Sequence, residues 1–213
     1  MRKFYFALLS VLLLNLASFS QSPSPVSKIT HDYFRSDPFQ KEFSAFLSHL
    51  LNDPTITGKV MEKRTDTSLF FFRGIYNNHN PFFFKPKRTE VILTEMPVEL
   101  DSLTTDTVYM YQLIAVNDNT KEGQQEVKKE FEKIYKRFKR SFFKNTYLEN
   151  TRAGKVSGAT YNFFDRFCAV APFALTWLGP DNTDSNKEIA LVLTIRMSTK
   201  NNMAILPAPF YTF

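Results

Sequence analysis

Between Lys133 and Lys144 the chain sets six cations, Lys133, Lys136, Arg137, Lys139, Arg140 and Lys144, with no carboxylate after Glu132. One-signed charge of this density attracts anions: phospholipid or lipopolysaccharide head groups, or an acidic polysaccharide. A purely structural role competes with this, because cations near a helix C-terminus complement its macrodipole and Glu132 and Lys136 stand four residues apart. A second candidate is Asp165, which with Arg166 interrupts the apolar runs Tyr161-Asn162-Phe163-Phe164 and Phe167-Cys168-Ala169-Val170. An aspartate on the face of Phe163 and Phe167 would have its pKa raised unless a cation compensated, as a ligand-binding or acid–base carboxyl requires. These six residues, Lys133, Lys136, Arg137, Lys139, Arg140 and Asp165, are the candidate ligand-binding set; Lys144 extends the basic run.

Other chemistry is sparse. His31, His49 and His79 are scattered without metal-ligand spacing. Cys168 lies among Phe167, Ala169 and Val170, the setting of a small buried hydrophobe rather than a nucleophile. The loop Asp181-Asn182-Thr183-Asp184-Ser185-Asn186 clusters oxygen donors but lacks the glycine and closing glutamate of a calcium loop, so it reads as a polar hairpin loop. Neither a glycine-rich phosphate loop, nor a Gly-x-Ser-x-Gly elbow, nor a His-Glu-x-x-His helix is present. No cofactor or metal is expected.

The elements that position these residues follow from periodicity. Asp37-Pro38 predicts a helix start, with Phe39, Phe43, Phe46 and Leu50 on one face and Asn52-Asp53-Pro54 as the stop. Strands are expected at Thr57 to Lys63, Ser68 to Tyr76, Pro81 to Met96 and Thr107 to Val116. The last carries apolar residues on both faces, the mark of a central strand. Asn117 to Thr120 opens a long helix with Val127, Phe131, Ile134, Phe138 and Phe142 in one stripe. Asn145 to Gly158 reads as a polar connection. Strands then follow at Ala159 to Leu178, broken near Pro172, and at Glu188 to Met197, where alternate residues are apolar. The tail from Met203, with Pro207 and Pro209, predicts at most an edge strand. No internal repeat is evident. The expected fold is a single α+β domain over residues 36–213, a mainly antiparallel sheet of about six strands with two helices on one face. Residues 21–35, rich in Ser and Pro, read as a flexible arm.

The N-terminus supplies an address. Arg2 and Lys3 precede an apolar stretch from Phe4 to Leu16 and small residues at Ser18 and Ser20, the order of a secretory signal over residues 1–20 cut near Ser20-Gln21. It resembles the signals of Gram-negative bacterial exported proteins, which implies a periplasmic or extracellular site of action. Loss of the signal leaves 25 Lys and Arg against 21 Asp and Glu, a net charge of +4 that is too mild for a dedicated nucleic-acid binder. A single cysteine excludes an intrachain disulfide, and the 20 of the 23 phenylalanines that lie beyond the signal must supply the packing. The triplets Phe70-Phe71-Phe72 and Phe82-Phe83-Phe84 put aromatic side chains on both faces of a sheet, so one face is either covered or open to an apolar ligand. The ending Tyr211-Thr212-Phe213 resembles the terminal signal of outer-membrane β-barrels, but a long mid-chain amphipathic helix contradicts a barrel. The expectation is an exported, non-enzymatic binding protein whose partner is a lipid, an anionic envelope component or another envelope protein. A small secreted hydrolase and a component of an envelope assembly or secretion complex are the alternatives.

Overall fold

A computed structural model describes residues 25–34, 38, 43–63, 70–77, 84–99, 105–152, 155–166, 170–179 and 188–198. The segment read as a signal, Asp37, His79, Phe82, Phe83, Cys168, the loop at 181–186 and the tail from Met203 lie outside the described residues.

The described chain forms an antiparallel sheet of eight strands in the order β1-β2-β3-β4-β8-β7-β6-β5. The strands are β1 (Ile56–Lys63), β2 (Phe70–Tyr76), β3 (Arg88–Glu99), β4 (Thr105–Asp118), β5 (Lys144–Arg152), β6 (Lys155–Phe164), β7 (Phe173–Leu178) and β8 (Glu188–Ser198). Three helices accompany them: α1 (Pro25–Tyr33), α2 (Phe43–Asn52) and α3 (Lys121–Phe138). The α+β class and the antiparallel sheet match the sequence expectation; the strand number exceeds it. The extra strands come from the segment read as a polar connection, which forms β5 and the start of β6, and from the run broken near Pro172, which is two strands. Asp165 and Arg166 therefore sit in a loop, not within a strand.

The segment expected to be a flexible arm is, from Pro25, a helix. Val26, Ile29 and Tyr33 recur at helical spacing and are buried, as is Phe34 just beyond. Thr30, also buried, donates its hydroxyl to the Ser27 carbonyl at 2.7 Å, so its polar group is satisfied.

All three helices cover one sheet face. Register aligns Leu93, Tyr111, Ile195, Phe173 and Phe163 in a row across β3, β4, β8, β7 and β6, and every one of them is buried. Phe34 and Phe46 pack on the Tyr111 ring at centroid distances of 4.7 and 5.1 Å, and Phe138 of α3 meets Phe173 at 6.5 Å. Helix α3 begins at Thr120, whose extended backbone and hydroxyl cap the Gly123 N–H at 3.1 Å. It ends at Phe138, so Phe142, placed in its apolar stripe by periodicity, lies in the following turn and is buried against Phe163 at 5.2 Å.

Among the described residues the opposite face shows no aromatic groove, and Phe82 and Phe83 lie outside them. Phe72 enters the core while Phe71 lies half-buried on the other side. There Gln112 donates to Thr194 at 3.1 Å, and the hydroxyls of Thr160 and Thr176 meet at 3.0 Å. Buried Glu90 accepts from Arg73 and Arg88, and Arg88 reaches Glu188. The second face is thus mixed, since Val108, Val116 and Val192, on the same side as Gln112 and Thr194 by strand alternation, are buried.

The order of strands hides a symmetry. Helix α2 followed by β1 to β4, and helix α3 followed by β5 to β8, are each one helix and a four-strand meander, and the two meanders meet along β4 and β8. No repeat in the amino-acid sequence signals this.

Candidate functional site

The basic run is divided by the geometry of α3. Its buried stripe, Val127, Phe131, Ile134 and Phe138, fixes which way every other residue points. On one flank Arg137 turns to α1, where it donates to Asp32 and to the Tyr33 hydroxyl, and its guanidinium lies 5.8 Å from the Tyr33 ring centroid. Burial is the main cause that raises the Tyr33 pKa, with Arg137 opposing it. On the other flank Lys139 sits 5.6 Å from the Tyr135 ring and Lys128 4.6 Å from Trp177. Tyr135 stacks on Tyr161 at 3.8 Å, which in turn packs against Phe131 and Tyr147. The Tyr161 hydroxyl is pushed up to about 12, first by burial and then by the charge of Glu132.

Lys133 holds both carboxylate oxygens of buried Glu130 at 3.1 Å. The i, i+4 partnership expected of Glu132 and Lys136 is replaced by this i, i+3 pair. Arg137, Lys133 and Lys139 are thus engaged locally, whereas exposed Lys136, Arg140 and Lys144 have no ion-pair partner among the described residues.

Lys133 and Lys136 open onto a groove of about 780 Å³ between α3 and the segment that leads into β3. Half-buried Phe84 and exposed Lys85 form one wall; Glu126, Lys129, Glu130 and Glu132 complete the other. Two of its three carboxylates are occupied: Glu126 accepts from Asn117 at 2.9 Å and Glu130 from Lys133. Lys85, Lys129 and Lys136 have no ion pair among the described residues. Sequence reading found Lys133 and Lys136 but missed Lys85 and Lys129, since nothing local announces that the turn before β3 comes up beside the helix.

Asp165 stands apart from this groove. It follows β6 directly, and its carboxylate accepts the Arg166 N–H at 2.7 Å, a contact with its own chain neighbour. Arg166 lies 5.5 Å from the ring of Phe143. His31 and His49 are exposed, and among the described residues no three His, Cys, Asp or Glu side chains converge as a metal site would require. None of the described helices is long and apolar enough to cross a membrane. In comparisons with known proteins the chain matches no family model, no curated protein and no solved structure.

Proposed function

We propose that the protein is exported and acts without catalysis, binding an anionic component of the cell envelope with its head group seated in the α3 groove. One observation carries this reading: the groove is lined by four lysines against three glutamates, and Lys85, Lys129 and Lys136 are in no ion pair among the described residues, while Glu130 is taken up by Lys133 and Glu126 accepts from Asn117. An anion entering there meets three ammonium groups outside any ion pair in a lining of slight positive excess, and Phe84 supplies an apolar contact for the part of the ligand next to its charge. Export rests on the positively charged start, apolar stretch and small residues before Gln21.

The test is co-sedimentation of the chain from Gln21 with vesicles of anionic or zwitterionic phospholipid, and titration with a polyuronate. Binding to the anionic species should weaken as salt rises, because exposed lysines are screened over about 8 Å at physiological ionic strength. Lys129→Glu combined with Lys136→Glu should lower affinity by at least about tenfold, at roughly 1 kcal/mol per surface lysine. Indifference to charge, or a double variant that binds like the parent, removes the reading. The export half is checked by the N-terminal residue of the protein recovered outside the cytoplasm, expected to be Gln21.

A further inference from the structure

We infer that the outer edge of β5 is a docking site for an extended, acidic segment of a partner protein, which adds to the sheet as its ninth strand. The inference does not depend on the groove reading. Among the described residues β5 is the last strand in the sheet order and pairs only with β6, so alternate backbone N–H and C=O groups along it face outward from the described sheet. Its register with β6 is regular from Lys144 to Asn150 and shifts only after that point.

The side chains along this edge are those a further strand would cover. Tyr147 and Leu148 point to opposite faces, as successive strand residues must, and are 46% and 57% exposed. Phe143, just before the strand, is 66% exposed, and Val156, across the hairpin, 47%. Apolar surface on both faces of a free edge is what strand addition buries, with main-chain hydrogen bonds supplying affinity and alternate side chains specificity. Charge selects the partner. Arg140 and Lys144 lie at the entry to β5, Arg166 stands 5.5 Å from the Phe143 ring just before it, and the acid on the strand, Glu149, already accepts the Tyr147 hydroxyl at 2.9 Å. These cations repel basic strands, deter indiscriminate apolar pairing and favour acidic side chains in register.

The other edge is built differently. β1 is interrupted by a register shift between Thr57 and Val60, where Gly58 takes a φ of 57°, and Lys59 reaches back to the carbonyls of Leu51 and Asp53. A bulged edge tied to the end of α2 is a poor template for pairing.

The experiment offers the mature chain short peptides alternating glutamate with valine or lysine with valine, with binding followed by backbone amide NMR and hydrogen exchange. The glutamate peptide should bind, shift resonances of residues 144–150 and slow exchange at alternate amides there; the lysine peptide should not. Arg140→Glu with Lys144→Glu should weaken the glutamate peptide at least about tenfold, a loss of about 1.4 kcal/mol, and admit the lysine peptide. The groove variant Lys129→Glu/Lys136→Glu should leave peptide binding intact, which separates this site from the groove. Equal binding of both peptides, shifts confined to other elements, or self-association of the chain through β5 would overturn the inference. Should the charge-reversed variant fail to fold, the comparison of the two peptides on the unaltered chain decides alone.

Discussion

Arg137 of α3 donates to Asp32 of α1 across a sequence separation of 105 residues, and the same guanidinium bonds the hydroxyl of Tyr33. The pair joins the first helix to the long one at a point where Asp32 is 8% exposed and Arg137 33%. A basic residue that looked like part of a binding surface therefore acts as a structural clamp.

Removing one partner leaves the other poorly solvated. Arg137→Met or Asp32→Asn alone should cost about 1–3 kcal/mol, below the fully buried value because solvent reaches the arginine. A double-mutant cycle by urea denaturation should return a coupling of similar size. Single losses that simply add would mean that the two side chains do not support each other. Anion binding in the groove should not change in Arg137→Met.

The first helix itself is the subject of a second expectation. Burial of Val26, Ile29, Tyr33 and Phe34 contributes about 1.5–3 kcal/mol each, and their sum rivals the roughly 5–15 kcal/mol total stability of a domain. A chain beginning at residue 35 should lose its cooperative unfolding transition in circular dichroism. An unchanged transition would return the segment to the role of a linker.

Gly123 gives an expectation that runs against helix propensity. Alanine there would gain about 1 kcal/mol as a helix former. Its Cβ, however, would lie 2.1 Å from the Asp118 carbonyl oxygen, a backbone atom that can move only by displacing the entry to α3. Gly123→Ala should therefore lower stability by about 1–3 kcal/mol in chemical denaturation, the usual range for overpacking.

Tyr161 provides a pH signature. Its hydroxyl titrates near 10.0 when solvated and is pushed up to about 12 in the fold, so between these values the folded state retains a proton that the unfolded chain releases. Stability from this source is complete below pH 10 and falls as pH rises toward 12. Phenolate absorbance should show a late-titrating component that shrinks by one tyrosine in Tyr161→Phe, and Glu132→Gln should bring Tyr161 part of the way back, since burial remains the larger cause.

These features differ in how far the chain announces them. The alternation from Ile189 to Met197 and the two-faced apolarity of Val108 to Val116 follow from burial; the second strand is central as read, and the first lies beside it. β5 escaped because an edge strand need bury little: Lys-Asn-Thr-Tyr-Leu-Glu-Asn-Thr-Arg has no period of two in hydrophobicity. Helix α1 escaped because its buried positions are interspersed with Ser, Lys, His and Asp, and tertiary contact, not local propensity, holds a helix of nine residues. For the basic run, composition predicted a field but not which cations are spent on Asp32, Glu130 and aromatic rings, because those partners come from distant parts of the chain.

The seam between β4 and β8 also bears on how the chain reaches its fold. Strands within each meander are near neighbours in sequence, whereas Gln112 and Thr194, hydrogen-bonded across the seam, are 82 residues apart. Loop-closure entropy makes such distant pairing slower than local hairpins. Each half can therefore assemble its hairpins early, while the two leaves zip together along β4 and β8 late. Until then the central strands, which the finished protein hides most completely, present open edges to any other chain nearby.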